Sequence, residues 1–404
     1  MNSYPRTGRL LKVGILYTLD HIPPVSYNPG DDIVRDGQRF LLQQILPAHE
    51  LRWQVLPRSK PAHWFDRRGR LWSWVKRRHP KAVWPLWSLV SACNANRLCE
   101  CDILLNASGP LLYFGNRYHS RYEPWSLLLV RALRQAPRVR FLNLGLGTCF
   151  PVRGVLAGVG RLLTPLHRAF CRQMHAVSSV VVCRERTAYQ LFEGMHLSAY
   201  LLPCPSLFAA DYWKVSPARG RPDYIAVNFH PAGTRTSGGR TGYDPVWAQA
   251  LQEILNTLGR RYRLKLVFHE SLEMSLATRC LDIGRWEVVV PSSLREFLAI
   301  YGSSLVAFTA RVHGTYAAAS LGVPSLTIGS DSRLTMIDLL GLPHLFWRDA
   351  SPARIVRIVD QLVAEAEGWR RRLQELKERT LYQYVTVLRR VLDIQCWRES
   401  ALHG

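Results

Sequence analysis

The chain has 404 residues, 48% hydrophobic and 21% charged, with a formal net charge of +23. That balance excludes a largely disordered chain and leaves room for two cores. An excess of 53 Lys and Arg over 30 Asp and Glu attracts anions, without choosing among phosphorylated substrates, anionic lipid and nucleic acid.

In chain order, KVGILYTL (12–19) predicts a buried first strand. A loop, DHIPPVSYNPGDD, and a helix, IVRDGQRFLLQQIL, follow it. LRWQVLP (51–57) and CDILLNASGPLLY (101–113) predict two more strands, the latter ending in a small-residue loop. WSLLLVRALRQA reads as a helix. RFLNLGLGTCFP (140–151) is a strand ending in a glycine loop, VSSVVVCRERTAYQLFEG (177–194) a strand turning into a helix, and AYLLPCPSLFA closes this half.

A linker at 211–222 separates a second series. Its strands lie in DYIAVNFHP, RLKLVFHE, WEVVVP, LVAFTA and VPSLTIG, and its helices in PVWAQALQEILNTLGRRY and SLREFLAIYGSS. A long helical region over 351–394 ends the pattern. Such alternation predicts an α/β protein with two tandem Rossmann-like domains. Ligands then bind at strand C-termini, facing a cleft. The expected units are an acceptor-side domain over 1–210, a donor-side domain over 223–345 and a helical region over 346–404.

Nine cysteines without a regular framework, including the Cys93, Cys99 and Cys101 cluster, read as free thiols in a reducing cytoplasm. No metal motif occurs, and no metal is expected. The N-terminal apolar run is too short and broken for a signal peptide, and no run is long enough to span a membrane. Segment 58–90 is basic and Trp-rich. It suits either peripheral contact with the inner face of a membrane or a solvated insertion whose Trp residues pack away.

The stretch TARVHGTYAAASLGVPSL (309–326) places Arg311 and His313 on a strand-to-helix turn. Such a turn offers backbone N–H groups and the positive end of a helix dipole. Arg adds a forked cation for phosphate or carboxylate, Gly314 allows close backbone approach, and His can move a proton near neutral pH. Alternatively, Arg311 pairs with a core carboxylate and His313 is structural. In YNPGDD (27–32), Gly30 suits a tight turn. Asp31 or Asp32 either caps the next helix or accepts a proton from a sugar hydroxyl. Arg184 and Arg186 stand where another strand ends, again facing anions.

Taken in order, these pieces resemble the polysaccharide pyruvyl transferase family. Asn28-Pro29-Gly30-Asp31 is similar to its N-x-G-D, Gly145-Leu146-Gly147 to its G-x-G loop, and Arg184-Glu185 to its R-[DE] strand end. The block from Arg311 to Pro324 is similar to R-[LV]-H-G followed by G-V-P. The loop Asn106-Ala107-Ser108-Gly109 departs from the usual G-G-G, and Pro203-Cys204-Pro205-Ser206 stands where D-P-A is usual.

The resemblance implies a GT-B-like fold and transfer of pyruvate from phosphoenolpyruvate to sugar hydroxyls of a cell-surface or exopolysaccharide precursor, usually as a cyclic ketal. It implies that Arg311 and His313 hold the donor, that Arg184 helps across the cleft, and that Arg333 stands where Lys is common; the backbone at Gly314 would complete the anion cradle. Asn28 joins the substrate-binding set. His313 is the expected general acid and Asp31 the acceptor's base. No cofactor is needed, and the acceptor is a saccharide, free or lipid-linked. A GT-B glycosyltransferase using a nucleotide sugar is the alternative enzyme, and a binder of anionic polymer or membrane the alternative class. No nucleic-acid module is present, and the basic residues are spread along the chain.

Overall fold

The computed structural model describes residues 9–17, 29–57, 97–106, 112, 129–150, 163–218, 220, 222–229, 245–269 and 271–392. The expectations for Asn28, for segment 58–90 and for the loop after Asn106 lie outside these residues.

The first domain is built on β1 (Leu10–Tyr17), β2 (Glu50–Pro57), β3 (Ile103–Asn106), β4 (Arg140–Leu146), β5 (Val180–Cys183) and β6 (Tyr200–Leu201). They form one sheet in the order β2-β1-β3-β4-β5-β6, and every pair is parallel. Parallel strands are covered on both faces, which is why their sequences are nearly continuous apolar runs. All residues of β3 and β5 are buried. Helices α1 (Pro29–Ile45), α2 (Pro165–Val177), α3 (Arg186–Glu193) and α4 (Ala209–Trp213) accompany the sheet.

The second domain repeats the plan with β7 (Tyr224–Asn228), β8 (Arg263–Val267), β9 (Glu287–Val289), β10 (Val306–Thr309), β11 (Ser325–Gly329) and β12 (His344–Phe346). Their order, β12-β11-β10-β7-β8-β9, is that of a dinucleotide-binding Rossmann sheet. It is flanked by α5 (Pro245–Gly259), α6 (Ser271–Cys280), α7 (Leu294–Gly302), α8 (Val312–Ala319), α9 (Pro352–Ala364) and α10 (Ala366–Leu392). The strand order reverses between β1 and β3 in one sheet and between β7 and β10 in the other. Ligand sites open at the carboxyl ends beside such reversals.

One expectation changes. Gly30, Asp31 and Asp32 form the first turn of α1 instead of a loop and tight turn. Pro29 suits a first helical position and the two carboxylates suit the positive helix end, so the helix starts earlier than the apolar pattern does. The helical region expected over 351–394 consists of two helices, α9 and α10, and they serve different domains. Ile355, Val359 and Leu362 of α9 enter the second domain's core, whereas Tyr384, Val387, Leu388 and Leu392 of α10 enter the first's. Tyr384 Oη donates to the Pro203 carbonyl at 2.9 Å. The stretch Ser332–Leu340 is a 3-10 helix that leads into β12, a strand of three residues.

The domains share a core. Ile33 and Val34 of α1 meet Cys204 and Leu207 and, from the other domain, Tyr316, Ala317 and Ala318 of α8. Gly37 lies on the same helix, and a Cβ added there would overlap the Pro205 carbonyl. Backbone cannot yield as a flexible side chain does, so Gly37→Ala should destabilise by about 3 kcal/mol, the upper end for overpacking. A thermal melt with an unchanged midpoint would refute this.

Candidate functional site

From the second domain, Arg311 caps α8 directly after β10. Its backbone is held by Thr309, whose Oγ1 accepts from Arg311 N at 2.9 Å. The guanidinium is engaged by Glu273 of α6: Nε donates to Oε1 at 2.7 Å, and Nη2 donates to the same oxygen. Glu273 is 2% exposed and also accepts from His269 N at 2.8 Å. Of the two options that the sequence leaves for Arg311, the structure realises the pairing with a buried carboxylate. Glu273 itself escapes the sequence reading. It lies 38 residues from Arg311 on a helix that no sequence pattern announces.

Gly314 has a different use from the expected one. A Cβ there would stand 2.7 Å from Thr309 Oγ1, 3.0 Å from Tyr301 Oη and 3.3 Å from His269 Cε1. Its missing side chain makes room for protein packing, not for a ligand's approach. His269 is buried beneath it, bonded to Tyr301 Oη at 2.9 Å. Burial holds its pKa at about 3, so it is neutral.

From the first domain, Arg184 follows β5 and Glu185 caps α3. Arg184 is 1% exposed, yet Nε, Nη1 and Nη2 have no hydrogen-bond partner among the described residues. Buried charges are ordinarily paired, so an orphaned guanidinium marks a place made for an anion. The G-x-G pair shapes that place. Gly145 has φ +83 where β4 shifts register against β5, a left-handed conformation suited to Gly. A Cβ at Gly147 would come within 2.6 Å of Arg184 Nε.

His313 stands at the meeting of the two halves. Its Nε2 is buried without a partner among the described residues. Its pKa lies well below the ordinary value, first because of burial and then through the charges of Arg184, Arg333 and Arg311. The expected general acid is therefore neutral near pH 7 in this environment. Arg333 contributes charge while forked onto Asp331, with Nε to Oδ1 at 2.9 Å and Nη2 to Oδ2 at 2.8 Å. Asp31 is half-buried in the first turn of α1. The structure thus brings Arg184, Arg311, Arg333 and His313 within one electrostatic neighbourhood assembled from both domains.

Two parallel Rossmann-like domains with a site between them define a GT-B-type fold. Similar solved structures include the UDP-GlcNAc 2-epimerase from Neisseria meningitidis bound to UDP-GlcNAc, with TM-score 0.55 and 10% identity over 95% of this chain and 99% of that one. The α,α-trehalose 6-phosphate synthase from Burkholderia multivorans has TM-score 0.54 and 12% identity over 98% and 99%. At these identities the likeness is one of fold. No curated protein matches the chain significantly. A sequence model of the polysaccharide pyruvyl transferase family matches residues 28–332, and the chain belongs to that family.

Proposed function

We propose that the protein transfers pyruvate from phosphoenolpyruvate to hydroxyls of a saccharide in polysaccharide biosynthesis, forming a cyclic ketal. The observation that carries this reading is the buried guanidinium of Arg184, which has no hydrogen-bond partner among the described residues and whose charge acts on His313. Phosphoenolpyruvate brings a phosphate and a carboxylate, and one of these would occupy Arg184. Arg311 and Arg333 would attract the donor from across the interface while Glu273 and Asp331 hold them in place.

A proton added to the methylene carbon leaves the adjacent carbon oxocarbenium-like. An acceptor hydroxyl forms a C–O bond there and loses its proton. The bond from that carbon to the phosphate oxygen then breaks, and a second hydroxyl closes the ketal. Burial and then the arginines hold the His313 pKa down; the donor's negative charge would offset the arginines and raise its proton affinity. The proton that His313 delivers, to carbon or to departing phosphate, thus becomes available when substrate binds. Asp31 is the proposed base for the acceptor, and Asn28 a further donor or acceptor of hydrogen bonds to substrate. A lipid-linked acceptor would suit contact between segment 58–90 and an anionic membrane surface. Among the described residues no helix is long and apolar enough to cross one.

A thermal-shift comparison of phosphoenolpyruvate with UDP, GDP and CMP tests the donor. A ligand at 100 times its Kd stabilises by about 2.7 kcal/mol. A shift with a nucleotide and none with phosphoenolpyruvate would replace this reading by a nucleotide-sugar glycosyltransferase. Arg311→Lys should weaken phosphoenolpyruvate binding about tenfold or more, because a point charge cannot reproduce the Nε and Nη2 contacts that orient the side chain. Unchanged affinity in a calorimetric titration would remove Arg311 from the donor site.

A further inference from the structure

Arg184 and His313 come from different domains, so one anion can meet both only if the domains are held in register. The described residues contain a hydrogen-bonded relay that does this immediately behind Arg184. Glu185, fully buried, accepts at Oε1 from Thr148 N at 2.6 Å and from Thr148 Oγ1. Thr148 Oγ1 lies 2.7 Å from Ser332 Oγ of the second domain. Ser332 Oγ accepts from Phe150 N at 2.8 Å, and Ser332 N donates to the Phe150 carbonyl at 2.9 Å.

The polarity of this chain follows from its ends. Phe150 N can only donate, so the Ser332 hydroxyl is free to give its own proton to Thr148. Thr148 in turn gives its proton to Glu185, whose Oε1 can accept both Thr148 donors whether or not Oε2 carries a proton. Each hydroxyl donates once and accepts once, and no alternative direction uses every group. The relay binds the loop that carries Gly147, and so the wall of the Arg184 site, to the 3-10 segment that carries Arg333.

Chain neighbours alone do not require this. Glu185 caps α3 without a side-chain bond to that helix, so its carboxylate is not engaged in capping. It turns inward, where burial pushes its pKa up to about 7 against the lowering influence of Arg184 and Thr148 and with Asp331 adding to the rise. Fold alone gives no reason to bury a carboxylate here, since an apolar side chain would pack there at lower cost.

We propose that Glu185 is a positioning residue which, through Thr148 and Ser332, locks the two domains in the register that lets Arg184 and His313 face one anion. The proposal deepens the transferase reading and rests on it for the identity of that anion. Its test uses the full-length protein and calorimetric titration with phosphoenolpyruvate and, in parallel, inorganic phosphate.

Thr148→Val and Ser332→Ala each break the relay, and each should raise the dissociation constant about three- to tenfold, the worth of one such bond. The double variant should bind no more weakly than the weaker single one, because both substitutions cut the same chain. Thr148→Ser, which restores the hydroxyl, should return affinity to within about twofold of wild type. Glu185→Gln keeps an acceptor and should resemble Thr148→Ser, whereas Glu185→Met should resemble Thr148→Val. Thermal melts of each variant check that it is folded.

Wild-type affinity in Thr148→Val and Ser332→Ala overturns the proposal. So does a Thr148→Ser protein as weak as Thr148→Val, since packing and not the hydroxyl would then be at issue. Additive losses in the double variant also overturn it. If wild type binds phosphate but not phosphoenolpyruvate, the donor assignment fails while the series read on phosphate still decides the relay. Binding of neither anion overturns both.

Discussion

Arg184→Met should make the protein more stable and unable to bind phosphoenolpyruvate. The guanidinium is 1% exposed, and none of its three nitrogens has a partner among the described residues. Its desolvation is offset only by attraction to the neighbouring Glu185, whose pKa it lowers, and a lost hydrogen-bond complement still costs several kcal/mol. Met fills a similar volume without charge, so the gain should be about 1–4 kcal/mol, read as a higher urea midpoint at unchanged slope. Binding should fall by more than about 100-fold, because each hydrogen bond to a charged group contributes about 1.5–3 kcal/mol. Sites tuned for a ligand are commonly destabilising without it. A destabilised variant would mean that Arg184 supports the fold. A stable variant that still binds the donor would move the anion elsewhere.

His313→Gln should lower turnover by about 10²–10⁴-fold, the range of general acid–base help, measured as phosphate released from phosphoenolpyruvate with an accepted saccharide. Wild-type turnover would take His313 out of the chemistry. The same variant should be less sensitive to acid. The imidazole's native pKa is lowered, so below about pH 6.5 the unfolded chain takes a proton that the folded one does not. Stability is therefore lost as pH falls, and Gln removes that share of the slope. His269, at about 3, contributes a slope of the same sign that remains in the variant. Glu185 acts in the opposite sense. Raised to about 7, it keeps its proton in the native state, so its contribution is lost as pH rises from about 4.5 to 7. Unfolding midpoints of wild type and His313→Gln between pH 4.5 and 6.5 should converge as pH rises.

Part of the site is legible in the sequence. R-V-H-G and G-x-G each sit at the carboxyl end of an apolar run, and the chain direction of parallel strands places both at one end of a sheet. Arg184 is marked as anion-facing for the same reason. That it lacks a hydrogen-bond partner among the described residues has no sequence signal, because it depends on which groups fail to reach it. The reverse holds for Arg311. Its motif is plain, but its partner Glu273 comes from another helix, brought near by the β7–β10 reversal. Gly314 is the clearest change of meaning. A residue whose spacing suggests ligand approach proves to make room for Thr309, Tyr301 and His269.

Local patterns by themselves determined the two-domain α/β plan, since runs such as VVVC and ILLN are viable only where both sheet faces are covered. They also placed the candidate cations at strand ends. Tertiary structure alone decided that α10 returns to the first domain, that α8 is made of small residues because α1 and Leu207 share its core, and that Glu185 reaches Ser332 through Thr148. Those facts rest on contacts between residues tens to hundreds of positions apart. No periodicity within either segment records them, because such contacts exist only once the strand order has been chosen.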